Sequence, residues 1–249
     1  MVKKHNTPTR ELQEILRWTA GLGAVTVDAV ARHAGWTSAS ARARLAAAER
    51  AGLIKRHRLL ADAPALYTAT RAGLRASGER GLEPCRVSVG GAPHAIACAS
   101  AATVLERVYP DHSIMGEREL RLREREAGRA LASADLGRGA GNAVLHRPDL
   151  VLWPRHPLAG LPVAVEVELT VKAPQRLVEI CRAWARCRCT AGTIYLAAEH
   201  VQRPLARAIE TARGEACIAV LGLDALADPE GPATAVETGA AESTVPGAA

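Results

Sequence analysis

His146-Arg147-Pro148-Asp149-Leu150-Val151-Leu152-Trp153 and Val163-Ala164-Val165-Glu166-Val167-Glu168-Leu169-Thr170 are the two stretches on which the reading of this chain turns. The first predicts a short strand entered through a Pro-Asp step. Pro154 to Pro162 connects it to the second, which is also a strand. Strand side chains alternate between faces. Val163, Val165 and Val167 therefore share one face, and Ala164, Glu166 and Glu168 share the other. Two acids inside so apolar a strand are costly to bury unless paired or metal-bound. Taken singly, each polar residue has an ordinary role. Asp149 is a turn residue or strand cap after proline. Glu166 and Glu168 are a solvent-facing pair on a sheet covered on one side only, and Lys172 is a surface residue entering a helix. Their joint order, between these elements, points to a site.

Downstream, Pro174 to Cys187 predicts a helix with Leu177, Ile180, Cys181 and Trp184 on its apolar face. Gly192 to Ala197 is a third strand, Pro204 to Arg213 a helix and Ala216 to Leu221 a last strand. Strands alternating with helices imply an α/β sandwich. Upstream, His94 to Val108 is a small-residue helix, and Ile114 to Arg121 leads into a highly charged helix that runs to about Ala130. Gly137 to Gly141 is a flexible loop that lacks the lysine and the strand–helix context of a phosphate-binding loop. Trp153 and Trp184 are core residues. Arg176, Arg182 and Arg186 form a solvated helix face. His146 is a structural residue beside the motif and a secondary lining of the same cleft. Asp228 to Ala249 has no periodicity and reads as a disordered tail.

The first 82 residues have another character. They hold 14 Lys and Arg against six Asp and Glu, a balance of +8 that leaves −2 for the rest of a chain whose net charge is +6. Leu12, Ile15 and Leu16 recur at helical spacing within Arg10 to Trp18, and Gly21 and Gly23 end that helix. Thr26 caps a second helix that Gly35 stops. Thr37 or Ser38 caps a third, with Ala41, Leu45 and Ala48 as its buried stripe. Leu53 to Leu60, a turn at Ala61-Asp62-Ala63-Pro64 and Ala65 to Thr68 predict a β-hairpin. A last helix starts near Thr70. Three helices followed by a hairpin is the order of a winged helix-turn-helix. Ser38, Ser40, Arg42 and Arg44 would then lie on the groove-facing side of the third helix. Lys55, Arg56 and Arg58, with His57, would form the basic edge of the wing. Arginine meets guanine edges or phosphates, and lysine mostly phosphates. A winged helix used for protein contacts, with these charges as a solvated face, is the alternative.

The chain has 249 residues, 48% hydrophobic and 23% charged, which excludes wholesale disorder. Aromatic residues make up 3% and phenylalanine is absent, so alanine, leucine and valine fill the core. Of 32 basic residues only Lys3, Lys4, Lys55 and Lys172 are lysine, as in proteins of GC-rich genomes. No signal peptide or membrane span is read: the charged N-terminus has no apolar segment after it, and Val87 to Leu105 is interrupted by Gly90, Gly91, Pro93 and His94. The six cysteines fit no disulfide or zinc spacing and read as small apolar fillers of a reduced cytoplasmic protein.

The phrase AERAGLIKRHR…ALYTATRAGLRA resembles bacterial winged-helix domains. Pro148-Asp149, then Glu166-Val167-Glu168, then Lys172 resembles the PD-(D/E)XK nuclease superfamily. The whole arrangement, with its ERELR, HRPDLVLW and EVELT stretches, resembles the replication-relaxation family of actinobacterial mobile elements over most of residues 10–225. That resemblance implies a two-domain α+β/α/β chain. A winged-helix DNA-binding domain would span 1–82, a restriction-endonuclease-like α/β sandwich 83–226 and a tail 227–249. It also implies that Asp149 and Glu166 hold one Mg²⁺, helped by the Val167 carbonyl. Glu117 or Glu119 would be an additional helix acid, and Lys172 would stand in for the lysine whose usual position is taken by Glu168. The function implied is a duplex-DNA-binding protein of a plasmid or mobile element, acting in replication or transfer by metal-dependent nicking or cleavage. The alternatives are a non-catalytic transcriptional or replication regulator whose body is a pseudo-nuclease used for homodimerisation, and an RNA- or protein-directed module.

Overall fold

Four threonines set the N-terminal third of the molecule. The computed structural model describes residues 9–139, 142–156 and 160–223. Helices α1 (Arg10–Leu22), α2 (Val27–Ala34), α3 (Ser38–Arg50) and α4 (Arg71–Ser77) begin after Thr9, Thr26, Thr37 and Thr70. Each threonine hydroxyl accepts a backbone N–H of the first turn, from Leu12, Ala29, Ser40 and Gly73 at 3.1–3.3 Å. Gly35 ends α2 in the left-handed conformation. Strands β1 (Ile54–His57) and β2 (Leu66–Ala69) pair antiparallel between α3 and α4, with Ile54 opposite Ala69. Val25 bridges to Tyr67 beside them. Leu16, Val25, Val30, Leu45, Ile54 and Tyr67 close one core, and the expected stripe Ala41, Leu45 and Ala48 lies within it. The hairpin ladder is shorter than predicted. Leu59 and Leu60 leave it to pack with Leu66 and Ala92, because burying two leucines outweighs two more ladder steps.

Residues 78–91 carry no helix or strand, and the boundary predicted at 82/83 falls among them. After them come α5 (Ala92–Val108), β3 (His112–Gly116), α6 (Glu117–Ala127), β4 (Ala134–Gly139) and β5 (Asn142–His146). The chain continues with β6 (Leu150–Pro154), β7 (Val163–Glu168), α7 (Pro174–Ala185), β8 (Gly192–Ala197), α8 (Glu199–Ala212) and β9 (Ile218–Gly222). One five-stranded mixed sheet runs β3-β6-β7-β8-β9. Its first three strands are antiparallel neighbours, and β7, β8 and β9 run parallel through the crossovers α7 and α8. Ala101, Ala102 and Leu105 of α5 cover Leu150, Leu152, Val165 and Val167 on one face. Leu177, Ile180, Trp184 and Leu205 cover Ala164, Tyr195 and Ala197 on the other. The fold is thus mixed α/β, with helices on both faces of the sheet.

Four expectations need correction. The sheet is not covered on one side only: Glu166 and Glu168 face α7, not solvent, at 3% and 6% exposure. His112–Gly116 is an edge strand, which had no alternation to announce it. The loop at Gly137–Gly141 is instead flanked by the paired strands β4 and β5; residues 140–141, like the tail at 227–249, lie outside the described residues. Helix α8 starts at Glu199, not at Pro204. Val201, Leu205, Ala208 and Ile209 form its buried stripe, which begins ahead of the proline and overrides the preference of proline for the first turn.

The N-terminal core docks on the sheet through α1. Gly116 meets Gly21 so closely that a Cβ on Gly116 would lie 2.4 Å from the Gly21 carbonyl oxygen. Trp18 Nε1 donates to Glu106 Oε1 at 2.9 Å, and His33 Nδ1 lies 2.8 Å from Glu106 Oε2. The Trp18 and His33 rings stack at 4.1 Å.

Candidate functional site

Asp149 is the residue on which four elements meet. It precedes β6, one step beyond the Leu150↔Val165 pair, and so stands opposite Glu166 in the antiparallel ladder. Its carboxylate Oδ2 accepts the Val167 N–H at 2.8 Å, across to β7. Its Oδ1 accepts from His94 Nε2 at 2.9 Å, in the first turn of α5. Its carbonyl accepts the Glu117 N–H at 3.0 Å, at the start of α6. One residue therefore ties β6 to β7, α5 and α6.

Glu166 is enclosed. Its Oε1 accepts from Trp184 Nε1 at 3.1 Å, and His146 Nε2 lies 2.8 Å away. Burial raises its pKa, and the His146 contact partly opposes that rise. The paired-acid rule read from the sequence is thus met by an indole and an imidazole. Glu168 is met by Lys172, whose ammonium reaches its Oε1; the other oxygen of Glu168 is buried without a hydrogen-bond partner. Lys172 also acts electrostatically on Glu166 and His94. Asp149, Glu166, Glu168 and Lys172 are therefore brought together at one end of β6 and β7.

Glu117 lies near the same place: its charge, with those of Asp149 and Glu166, helps raise the Cys98 pKa, although burial is the larger cause. Its carboxylate is paired with Arg121. Glu119 is not part of this group. It pairs with Arg123 and faces Gly21 of α1.

His94 and Cys98 were not singled out from the sequence. One ligand atom from each, with one from Asp149, all lie within 4.8 Å of one another. Cys98 Sγ is 3.4 Å from His94 Nε2. The bond from Asp149 raises the His94 pKa above its ordinary value, against the effect of burial. The i, i+4 spacing of His94 and Cys98 on a predicted helix was legible and places both on one face. Asp149 arrives from a distant strand, which no local pattern reports.

On the N-terminal unit, Arg42, Lys55, Arg56 and Arg58 are exposed. None of these four has a carboxylate partner among the described residues. Arg44 is engaged: it bonds Glu11 at 2.6 Å and lies 4.2 Å over the Trp36 ring. Ser38 donates to Asp28 at 3.1 Å, and Ser40 is half-buried in the first turn of α3. Arg42 of α3, Lys55 and Arg56 of β1 and Arg58 just beyond it thus face solvent, with Arg44 partly neutralised. No helix among the described residues is long and apolar enough to cross a membrane. No protein-family model, curated protein or solved structure matches the chain.

Proposed function

We propose that this chain is a cytoplasmic duplex-DNA-binding protein of the replication-relaxation type, in which a winged helix positions a PD-(D/E)XK nuclease-like domain. It would serve a plasmid or mobile element in replication or transfer, by metal-dependent nicking or cleavage. The observation that carries the reading is the convergence of Asp149, Glu166, Glu168 and Lys172 at one end of adjacent strands. Two carboxylates at neighbouring register positions fit a hard, oxygen-seeking Mg²⁺, and such an ion would relieve the cost of an ionised, buried Glu166. When bound, the ion supplies an activated water and neutralises charge on the scissile phosphate.

The remaining work falls to groups of the chain itself. The Val167 N–H fixes the Asp149 carboxylate. Trp184 and His146 fix Glu166. Lys172, held by Glu168, presents positive charge beside them. Arg42, Lys55, Arg56 and Arg58 supply phosphate contacts on the DNA. A second reading, a regulator on a retired nuclease fold, is favoured by one feature: the Lys172 charge is already spent on Glu168.

Supercoiled plasmid with Mg²⁺ or Mn²⁺ decides between them. Asp149→Asn with Glu166→Gln is the control of choice, because alanine at 149 would also strip the Val167 N–H of its acceptor. Nicking by the wild type that is lost in this variant is the expected result. Intact plasmid with a retained duplex shift gives the regulator. In the same binding assay, Lys55→Ala with Arg58→Ala is expected to lower the slope of log affinity against log salt by about 1 per lost phosphate contact. An unchanged slope removes Lys55 and Arg58 from the interface.

A further inference from the structure

His94, Cys98 and Asp149 form a donor set of a different chemistry from the pair of carboxylates. An imidazole and a thiol one turn apart on a single face of α5 converge with a carboxylate at a strand end. Magnesium takes oxygen ligands. Nitrogen and sulfur together select borderline ions, of which zinc is the usual case. We propose that His94 Nε2, Cys98 Sγ and Asp149 Oδ1 are the three protein ligands of a Zn²⁺ site with an open fourth position.

The geometry needs little adjustment. Bonds of about 2.3 Å to sulfur and about 2.0 Å to nitrogen and oxygen, at tetrahedral angles, separate ligand atoms by roughly 3.3–3.6 Å. Here His94 Nε2 lies 3.4 Å from Cys98 Sγ and 2.9 Å from Asp149 Oδ1. The His94–Asp149 edge opens by a few tenths of an ångström and the Cys98–Asp149 edge, within 4.8 Å, adjusts to match, the ion replacing the hydrogen that now bridges imidazole and carboxylate. The carboxylate is already oriented from behind by the Val167 N–H, the kind of outer contact that holds a ligand in place. The helix fixes His94 and Cys98 one turn apart. The His94 side chain is 43% exposed and Asp149 21%, so the fourth position opens to water. Three protein ligands with one open position is the arrangement of a reactive zinc, whereas structural sites are closed by four.

The site shares Asp149 with the proposed magnesium position, so zinc and magnesium would compete for that carboxylate. It does not depend on DNA cleavage and is read by binding alone. The probe is Co²⁺, added to the full-length, reduced apoprotein. One equivalent is expected to give the intense d–d absorption of a tetrahedral ion and a near-ultraviolet thiolate-to-cobalt band, both bleached by one equivalent of Zn²⁺. Cys98→Ser removes the thiolate band. His94→Gln, at a more exposed position, weakens Co²⁺ binding at least about tenfold and keeps the test open should Cys98→Ser fail to fold. Cys187→Ser with Cys189→Ser leaves the band intact. An absent band overturns the site. So does a band that survives Cys98→Ser or disappears with Cys187 and Cys189. Plasmid left uncut in the presence of Mg²⁺ overturns only the nuclease reading.

Discussion

Asp149 shows why a bland and a sharp reading of one residue need not compete. Its backbone position makes it a strand cap, and the same position aims Oδ1 at His94 and sets it opposite Glu166. The cysteines divide similarly. Cys181 is a buried filler, as its composition-level reading has it, and burial pushes its thiol up to about 11. Cys187 is different. Its sulfur lies 3.3 Å from that of Cys189, and the hydrogen bond between the two sulfurs lowers the Cys187 pKa while Cys189 is raised. Cys187 is therefore the more thiolate-prone of the pair. Alkylation by iodoacetamide, followed by peptide mass spectrometry, is expected to modify Cys187 with a half-maximal rate well below the ordinary thiol value and to leave Cys181 intact at pH 7. A Cys187 profile centred near the ordinary thiol value of 9.0 would remove the pairing.

At the scale of elements, helix starts were legible and close approaches were not. Thr26 and Thr37 cap as expected because a cap is a contact over three residues. The stripe Ala41, Leu45 and Ala48 is likewise a local periodicity. Edge strand β3 and hairpin β4–β5 were missed because polar residues and glycines break their apolar runs, His112-Ser113 at the start of β3 and Gly137-Arg138-Gly139 at the end of β4, whereas the equally short β6 to β9 are nearly continuous in apolar residues. Gly116 belongs to the same class: nothing local demands glycine there, yet its Cβ would strike the Gly21 carbonyl and Leu22 Cα of α1. Gly116→Ala is expected to cost about 1–3 kcal/mol by overpacking backbone against backbone. Gly90→Ala, with open space around the added carbon, is expected to be neutral within about 0.5 kcal/mol. Urea midpoints of the two variants test this, and equal midpoints would show that α1 slides freely over β3.

Across the whole molecule, Glu106 is the joint. Its two oxygens hold Trp18 and His33, from α1 and α2, onto α5. Glu106→Ala leaves an indole N–H and an imidazole unpaired at a half-buried contact, with an expected loss of about 1–3 kcal/mol. Hydrogen exchange should then quicken in α1, α2 and α5 together, and a change confined to α5 would place the joint elsewhere. A charge balance of +8 in the first 82 residues, the threonine caps, the strand alternation that puts Glu166 and Glu168 on one face and the Pro-Asp entry to β6 were all set by the sequence itself, because each is a sum or a contact over a few neighbours. Only the tertiary structure decided that the sheet is covered on both faces, that Trp184 and Lys172 answer the two buried acids, and that His94 and Cys98 meet Asp149. Those partners come from elements far apart along the chain, and their meeting depends on how helices pack over strands, which no local pattern encodes.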